Sequence, residues 1–116
     1  MEIKKHVQNI VKDIESGMSY EEAGQEIDAE ANGYDITDTI HGFDYLEGCL
    51  DIEYIVSSSK EYLGARVLVA FGGPNIWINT RTKQVEGYWW GDSCLLSYDD
   101  DPMGIDEALE ELYNCQ

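Results

Sequence analysis

The chain has 116 residues, of which 24 are acidic and 7 are basic, and its formal net charge is -17. This length holds a single domain, 1–116, and a hydrophobic content of 43% supplies a core, so two domains or a wholly disordered chain are disfavoured. The longest apolar run, 67–71, is far shorter than the roughly 20 residues that span a bilayer, and the N terminus has no secretory signal, so we expect a cytoplasmic protein without membrane contact.

The negative charge is concentrated in two segments. Residues 17–61 contain twelve acidic residues and one lysine, and residues 91–116 contain eight acidic residues and no basic one. The 62–90 segment between them has a net charge of +2, and residues 1–16 are neutral. With so few lysines and arginines, direct binding to nucleic acid or to an anionic membrane is disfavoured.

Helices are predicted at the N terminus. Apolar residues from Ile3 to Ile14 recur on one helical face, and Gly17 ends that helix. Ser19 and Glu22 have the spacing of a capping box, which predicts a second helix from there to about Gly33. The 34–49 segment stays unassigned.

Strands follow, because the hydrophobic period changes to two and the residues become β-branched and aromatic. Their short connections require antiparallel pairing. A closing helix is predicted after Asp99–Asp101, with Pro102 in its first turn. The predicted fold class is therefore α+β, with N-terminal helices, a four-stranded antiparallel meander and a C-terminal helix. The predicted strands are 50–56, 62–71, 75–80 and 85–90.

No catalytic constellation is evident in the sequence. The only histidines, His6 and His41, have no nucleophile motif around them, and the three cysteines have neither disulfide nor metal spacing. Asp99–Asp101 lacks the alternating ligands of a calcium loop and is better suited to capping a helix. We expect no enzymatic activity, no metal and no cofactor.

The segregated acidity predicts binding to a basic protein. Duplex DNA has one charge per about 1.7 Å, and an α-helix rises about 1.5 Å per residue, so acidic residues at every second or third position on two helices and a loop approach a useful fraction of that charge density. The hypothesis is an inhibitor that mimics DNA and occupies the basic groove of a nucleic-acid-handling enzyme. The predicted partner-binding residues are Glu21, Glu22, Glu26, Asp28, Glu30, Asp99, Asp100 and Asp101.

Aromatic residues support a different hypothesis. Trp77, Tyr88, Trp89 and Trp90 are the densest aromatic cluster, and Trp and Tyr are enriched in protein interfaces. An immunity or antitoxin-like protein would use such anchors to neutralise one toxin. A non-inhibitory acidic binding domain is the third alternative, and the chain could be a monomer or a homodimer.

Three runs of residues resemble a known group of proteins. They are FGGPNIWINT at 71–80, VEGYWWG at 85–91 and IDEALEEL at 105–112. Over about residues 62–115 the chain resembles small acidic proteins of bacterial mobile elements and phages, several of which are anti-restriction or anti-CRISPR inhibitors. The resemblance implies an inhibitor of a host defence nuclease, although Pro74, Trp77 and Trp90 are equally suited to turns and a core.

Overall fold

A computed structural model describes residues 3–116 and confirms an α+β fold with an antiparallel sheet. Three helices come first, then five strands, then a closing helix. The helices are α1 (Ile3–Ser16), α2 (Glu26–Ala31), α3 (Gly42–Leu46) and α4 (Ile105–Asn114). The strands are β1 (Asp51–Val56), β2 (Tyr62–Ala70), β3 (Asn75–Asn79), β4 (Gln84–Trp89) and β5 (Asp92–Ser97).

The sheet is a meander in which each strand pairs antiparallel with the next, in the order β1-β2-β3-β4-β5. The prediction of four strands was wrong, because β5 pairs along the whole of β4. The connection between them is the two-residue turn Trp90-Gly91, and both residues have positive φ, 49° and 83°. Such turns normally begin with Asn or Asp. Because tryptophan is not typical of turns, the sequence did not indicate a turn at this position, and the strand that follows it was not predicted.

Helices α1 and α4 cover the same face of the sheet. The apolar stripe predicted for α1 packs on β4 and β5, and α4 packs on β2 and on α3. Gly87 in β4 lets α1 come close, because a Cβ at this position would overlap the side chains of Val7 and Ile3. The buried core lies between these helices and the inward side chains of the central strands, such as Val67, Ile78 and Val85.

The second helix is shorter than predicted. The capping-box contacts form, since the amide of Glu22 donates to Ser19 Oγ at 3.1 Å, but the following residues make a turn and α2 begins only at Glu26. The side chain of Tyr20 is buried, and its amide donates to the carbonyl of Asp38 rather than into a helix. Tertiary packing of Tyr20 therefore overrides the local helix signal.

The start of α4 also differs from the prediction. Pro102 lies before the helix, and Gly104, with φ of 73°, is the residue that precedes Ile105. The unassigned 34–49 segment contains α3, whose Gly42 packs directly on the backbone carbonyl of Gly104. This close approach places α3 against the beginning of α4.

Candidate functional site

The two acidic segments approach each other at the C-terminal end of α1. On one side, the amide of Asp99 donates to Glu15 Oε2 at 2.9 Å, and Pro102 lies against Gly17. On the other side, Glu22 is close enough to Asp13 for its negative charge to raise the pKa of Asp13. Residues far apart in the sequence therefore form one surface. We call this the acidic surface, and it consists of Asp13, Glu15, Glu21, Glu22, Asp99, Asp100 and Asp101.

Sequence reasoning missed Asp13 and Glu15. Their segment is neutral in total because three lysines balance three acids, yet both lie in the last four residues of α1 with no basic residue in the last turn. Burial is the main cause of the raised pKa of Asp13, the charge of Glu22 adds to it, and nearby Lys12 opposes it. The position of charges along the helix, rather than their sum, was the available signal.

Each predicted residue of the 99–101 loop has a distinct setting. Asp99 and Asp100 are exposed, and no side-chain hydrogen bond or ion pair within residues 3–116 uses their carboxylates. Asp101 is half-buried and caps α4, accepting hydrogen bonds from the amides of Ile105 and Asp106 at 3.1 and 3.2 Å. The capping role expected for this loop is therefore performed by Asp101.

The predicted acids of the 19–31 segment are all exposed. Glu22 belongs to the acidic surface through Asp13, and Glu21 is its neighbour in the chain. Glu26, Asp28 and Glu30 lie on α2, where the side chain of Ile27 is 83% exposed among them. Within the described residues no hydrogen bond or ion pair joins these three to the 99–101 loop, so they form a separate acidic helix.

Very few of the carboxylates have a cationic partner. Within residues 3–116 the salt bridges use only Glu53 and Glu86, and both are made by Arg66, at 3.1 and 2.9 Å. Within the same residues no salt bridge involves the acidic surface or α2, although Lys12 lies near Asp13 and the ammonium of Lys83 lies 3.5 Å from the carbonyl oxygen of Asp99. The potential of the acidic surface and α2 attracts cations and repels anions, including nucleic acid.

The sheet face opposite α1 and α4 forms a second candidate surface. Arg66 stacks over Trp77, with its guanidinium carbon 4.3 Å from the ring centroid, and ion-pairs with Glu86. Glu86 also accepts hydrogen bonds from Asn79 at 2.9 Å and from Tyr88 at 3.0 Å. These contacts satisfy a carboxylate that is only 8% exposed on an otherwise accessible face. Both oxygens of the Glu86 carboxylate are hydrogen-bonded, which suits a structural role.

Large apolar side chains are exposed at one end of the sheet. Trp90 in the β4–β5 turn is 87% exposed, and Phe71 in the neighbouring β2–β3 turn is 71% exposed. Trp89 is half-buried and meets Trp90 edge-on at 5.8 Å between centroids, and it lies beside Gly73 of the β2–β3 turn. We call Phe71 and Trp90 the aromatic tip.

Comparisons with known proteins find no match: no family model, no curated protein and no solved structure is similar to this chain. The resemblance to anti-restriction and anti-CRISPR inhibitors therefore stays a prediction. All three cysteines are free in the structure. Among residues 3–116 no helix is long and apolar enough to cross a membrane, and no group of three or more His, Cys, Asp or Glu side chains is arranged to hold a metal ion.

Proposed function

We propose that this chain is a non-enzymatic binding protein whose acidic surface docks onto the cationic nucleic-acid-binding surface of another protein. The observation that supports this most directly is the meeting of two acidic segments at the end of α1, where Glu15 contacts the 99–101 loop and Glu22 acts on Asp13. Local density of unneutralised charge, and not only total charge, is what a basic groove recognises.

The placement of the acids also argues against a purely stabilising role. The C-terminal end of a helix has a partial negative charge, so carboxylates there are unfavourable. Asp13 and Glu15 lie at that end of α1, with no basic residue in its last turn. Charges that oppose the fold are consistent with selection for an external partner.

The partner class follows from the chemistry of the surface. A row of carboxylates resembles a phosphate backbone in charge but cannot pair bases, so it competes with nucleic acid for lysine and arginine side chains without any sequence preference. Nucleic-acid-handling enzymes have such side chains in grooves. The resemblance to mobile-element inhibitors makes a defence nuclease our proposed target.

The test is a plasmid-cleavage assay with purified restriction and CRISPR effector nucleases, each preincubated with the protein at low and at moderate salt. We expect inhibition that weakens as salt increases and that excess DNA relieves. A variant with Glu21→Gln, Glu22→Gln, Asp99→Asn and Asp100→Asn should lose inhibition by at least about tenfold, since each lost charge contact is worth about 0.5–1 kcal/mol.

A matched control removes the same charge elsewhere. Glu61, Glu107, Glu110 and Glu111 are exposed, and neutralising them as Gln also changes the net charge by four while leaving the acidic surface intact. Equal loss of inhibition in both variants would show that only total charge matters. Absence of inhibition across the whole panel would refute the proposal that the target is a nuclease. Proteins captured by the acidic-surface variant and by the control variant would then be compared in a pull-down.

The aromatic tip favours a second candidate function, an immunity-like protein that neutralises one toxin. Trp90 is strained by its positive φ and exposes 87% of its surface, a combination that costs stability and suits an interface anchor. Binding through such an anchor should be insensitive to salt and to the four neutralised carboxylates. Loss of binding on Trp90→Ala, with retention in the acidic-surface variant, would favour this function over the first.

A further inference from the structure

The outer edge of β5 lacks the features that usually protect an exposed strand. Strands β1 and β5 are the two ends of the sheet, so within residues 3–116 each has one edge with no strand beside it. The β1 edge has exposed Asp51 and Glu53, and a register shift interrupts its pairing near Val56. Charged side chains and such irregularities discourage pairing with another chain. Strand β5 has no charged residue from 93 to 97 and pairs with β4 without a register shift.

The hydrogen-bond pattern shows which backbone groups this edge presents. The amide of Tyr98 donates to the carbonyl of Lys83 at 3.0 Å, so these two residues form a hydrogen-bonded pair that continues the β4–β5 ladder. Hydrogen-bonded and non-hydrogen-bonded pairs alternate along an antiparallel ladder. The amides and carbonyls of Ser93, Leu95 and Ser97 therefore point away from β4, and no hydrogen bond from another element within residues 3–116 reaches them.

The side chains at these three positions are uncharged and accessible. Ser93 and Ser97 are exposed, and Leu95 between them exposes 53% of its surface. Because side chains alternate along a strand, all three lie on the sheet face opposite α1 and α4, which we call the open face, whereas Cys94 and Leu96 pack against the core. An unpaired, uncharged edge with an exposed leucine at its centre is suited to the addition of another strand.

The outward-directed residues read Ser, Leu, Ser in both chain directions, so this edge is complementary to itself. We infer that β5 pairs antiparallel with β5 of a second copy of this chain, about a two-fold axis at Leu95. The two five-stranded sheets then form one continuous sheet. In this register Leu95 lies opposite the same leucine of the second copy, Ser93 lies opposite Ser97, and each pair exchanges two backbone hydrogen bonds.

The distribution of charge permits this pairing despite the net charge of -17. Asp92, the charged residue of β5, lies opposite Tyr98 of the second copy, so no acidic residue of the strand faces another. Helix α1, which packs on β5, belongs to the 1–16 segment, whose net charge is zero. Parts of the chain with little net charge therefore meet at the interface.

The antiparallel direction also separates the two acidic surfaces. Asp99 is four residues from Leu95, so the two copies of Asp99 are eight residues apart along the strand direction, or about 26 Å at about 3.3 Å per residue. This distance exceeds the Debye length of about 8 Å at physiological ionic strength. Repulsion between the acidic surfaces is therefore largely screened, and dimerisation should strengthen as salt increases, whereas binding to a basic partner should weaken.

This inference is independent of the proposed function, because β5 contributes no residue to the acidic surface or to the aromatic tip. The first experiment is sedimentation equilibrium over a wide range of protein concentration, with a reductant present because all three cysteines are free. Two paired strands form a small contact compared with a standard interface of about 800 Å² per partner, so we expect a dissociation constant in about the micromolar range. The mass should rise from 13.1 kDa to twice that value. A monomer throughout the range up to about 1 mM would overturn the inference.

A matched pair of substitutions tests the position of the interface. Leu95→Lys places two ammonium groups opposite each other at the axis and should raise the dissociation constant at least about tenfold. Leu50→Lys is the control, because Leu50 is 60% exposed and lies next to the β1 edge. An unchanged dissociation constant for Leu95→Lys, or equal weakening by both substitutions, would mean that β5 is not the interface.

Amide hydrogen exchange of the wild-type chain gives a second test that does not depend on a variant folding. The amides of Ser93, Leu95 and Ser97 point to solvent in the monomer and are hydrogen-bonded in the dimer. Their exchange, followed by NMR, should slow as the protein concentration rises, in step with the dimer fraction, while exchange at the β1 edge stays constant. A dimer in which these three amides exchange at a constant rate must form elsewhere, for example between open faces or aromatic tips, and the inference would then be wrong.

Discussion

Glu86 is the charged residue that connects the polar side chains on the sheet face opposite α1 and α4. It is 8% exposed and accepts hydrogen bonds from Arg66, Asn79 and Tyr88. Glu86→Gln removes the buried carboxylate that accepts these three hydrogen bonds and leaves Arg66 with only its exposed pair to Glu53, so the free energy of unfolding should fall by about 2–3 kcal/mol. Urea unfolding followed by Trp fluorescence measures this.

Glu53 provides the matched control for that substitution. It pairs with the same arginine at 3.1 Å, but its side chain is 53% exposed. Exposed pairs contribute little, so Glu53→Gln should cost less than about 1 kcal/mol. Equal losses for the two variants would mean that burial does not distinguish these pairs and that the open face is more hydrated than its geometry indicates.

The same carboxylate gives the stability a defined pH dependence. Burial alone would raise the pKa of Glu86, but the hydrogen bonds from Asn79, Arg66 and Tyr88 and the charge of Arg66 lower it below the ordinary value of 4.5. A lowered pKa stabilises the fold above the unfolded-state value, and this contribution is lost as pH falls towards the folded-state value. The stability difference between wild type and Glu86→Gln should therefore be full at neutral pH and shrink below pH 4.5. A difference that grows on acidification would contradict this assignment.

Residue roles were predictable from sequence only where they depend on local chain geometry. The Ser19–Glu22 contacts and the cap before α4 follow from spacing along the chain, and both form. Asp13 and Glu15 were missed because their partners are distant in sequence, and the Arg66–Glu86 pair was missed because it depends on strand register across β3. Charge counting along the chain cannot detect neighbours that only the fold creates.

Among the elements, the β4–β5 turn combines backbone strain with exposure. Trp90 has φ of 49°, a conformation that Asn adopts more easily, but its ring also contacts Trp89 edge-on. Trp90→Asn relieves strain worth about 0.5–1 kcal/mol and removes an aromatic pair of similar energy, so stability should change by less than about 0.5 kcal/mol. Thermal unfolding measures the change. A loss above about 1.5 kcal/mol would show that Trp90 is needed for folding.

Lys83 in the β3–β4 turn is the control position. It has φ of 56° and is exposed, with only a long contact of 3.5 Å to the carbonyl of Asp99. Lys83→Asn should therefore stabilise the fold by about 0.5 kcal/mol and leave any partner binding through the aromatic tip intact. The two substitutions separate backbone strain from a binding role for the tryptophan.

The regular elements were easier to predict than their connections. The periodicity of α1 and of the strands β1 to β4 identified them, because one buried face imposes a repeat on the sequence. The shortening of α2 depends on tertiary contacts, namely the burial of Tyr20 and its 2.7 Å hydrogen bond to Asp44. No local propensity contains that information.

At the scale of the whole molecule, the charge of -17 opposes folding, because the carboxylates are closer together in the compact state than in the unfolded chain. Added salt screens this repulsion, since the Debye length of the solution is about 10 Å at 0.1 M ionic strength. The free energy of unfolding should therefore rise between about 0.01 and 0.5 M sodium chloride, whereas affinity for a basic partner should fall over the same range. Protein stability and partner binding thus have salt dependences of opposite sign.

The two four-site variants show where the repulsion is located. If the acidic surface is the densest part of the charge, neutralising Glu21, Glu22, Asp99 and Asp100 should stabilise the chain at low salt by about 1 kcal/mol and flatten its salt dependence. The control variant at Glu61, Glu107, Glu110 and Glu111 should have a smaller effect, because it removes the same charge from positions outside that surface. Urea unfolding at several salt concentrations compares them. A wild-type stability that falls with added salt would mean that attractive ion pairs dominate, and the only ones within residues 3–116 are those of Arg66.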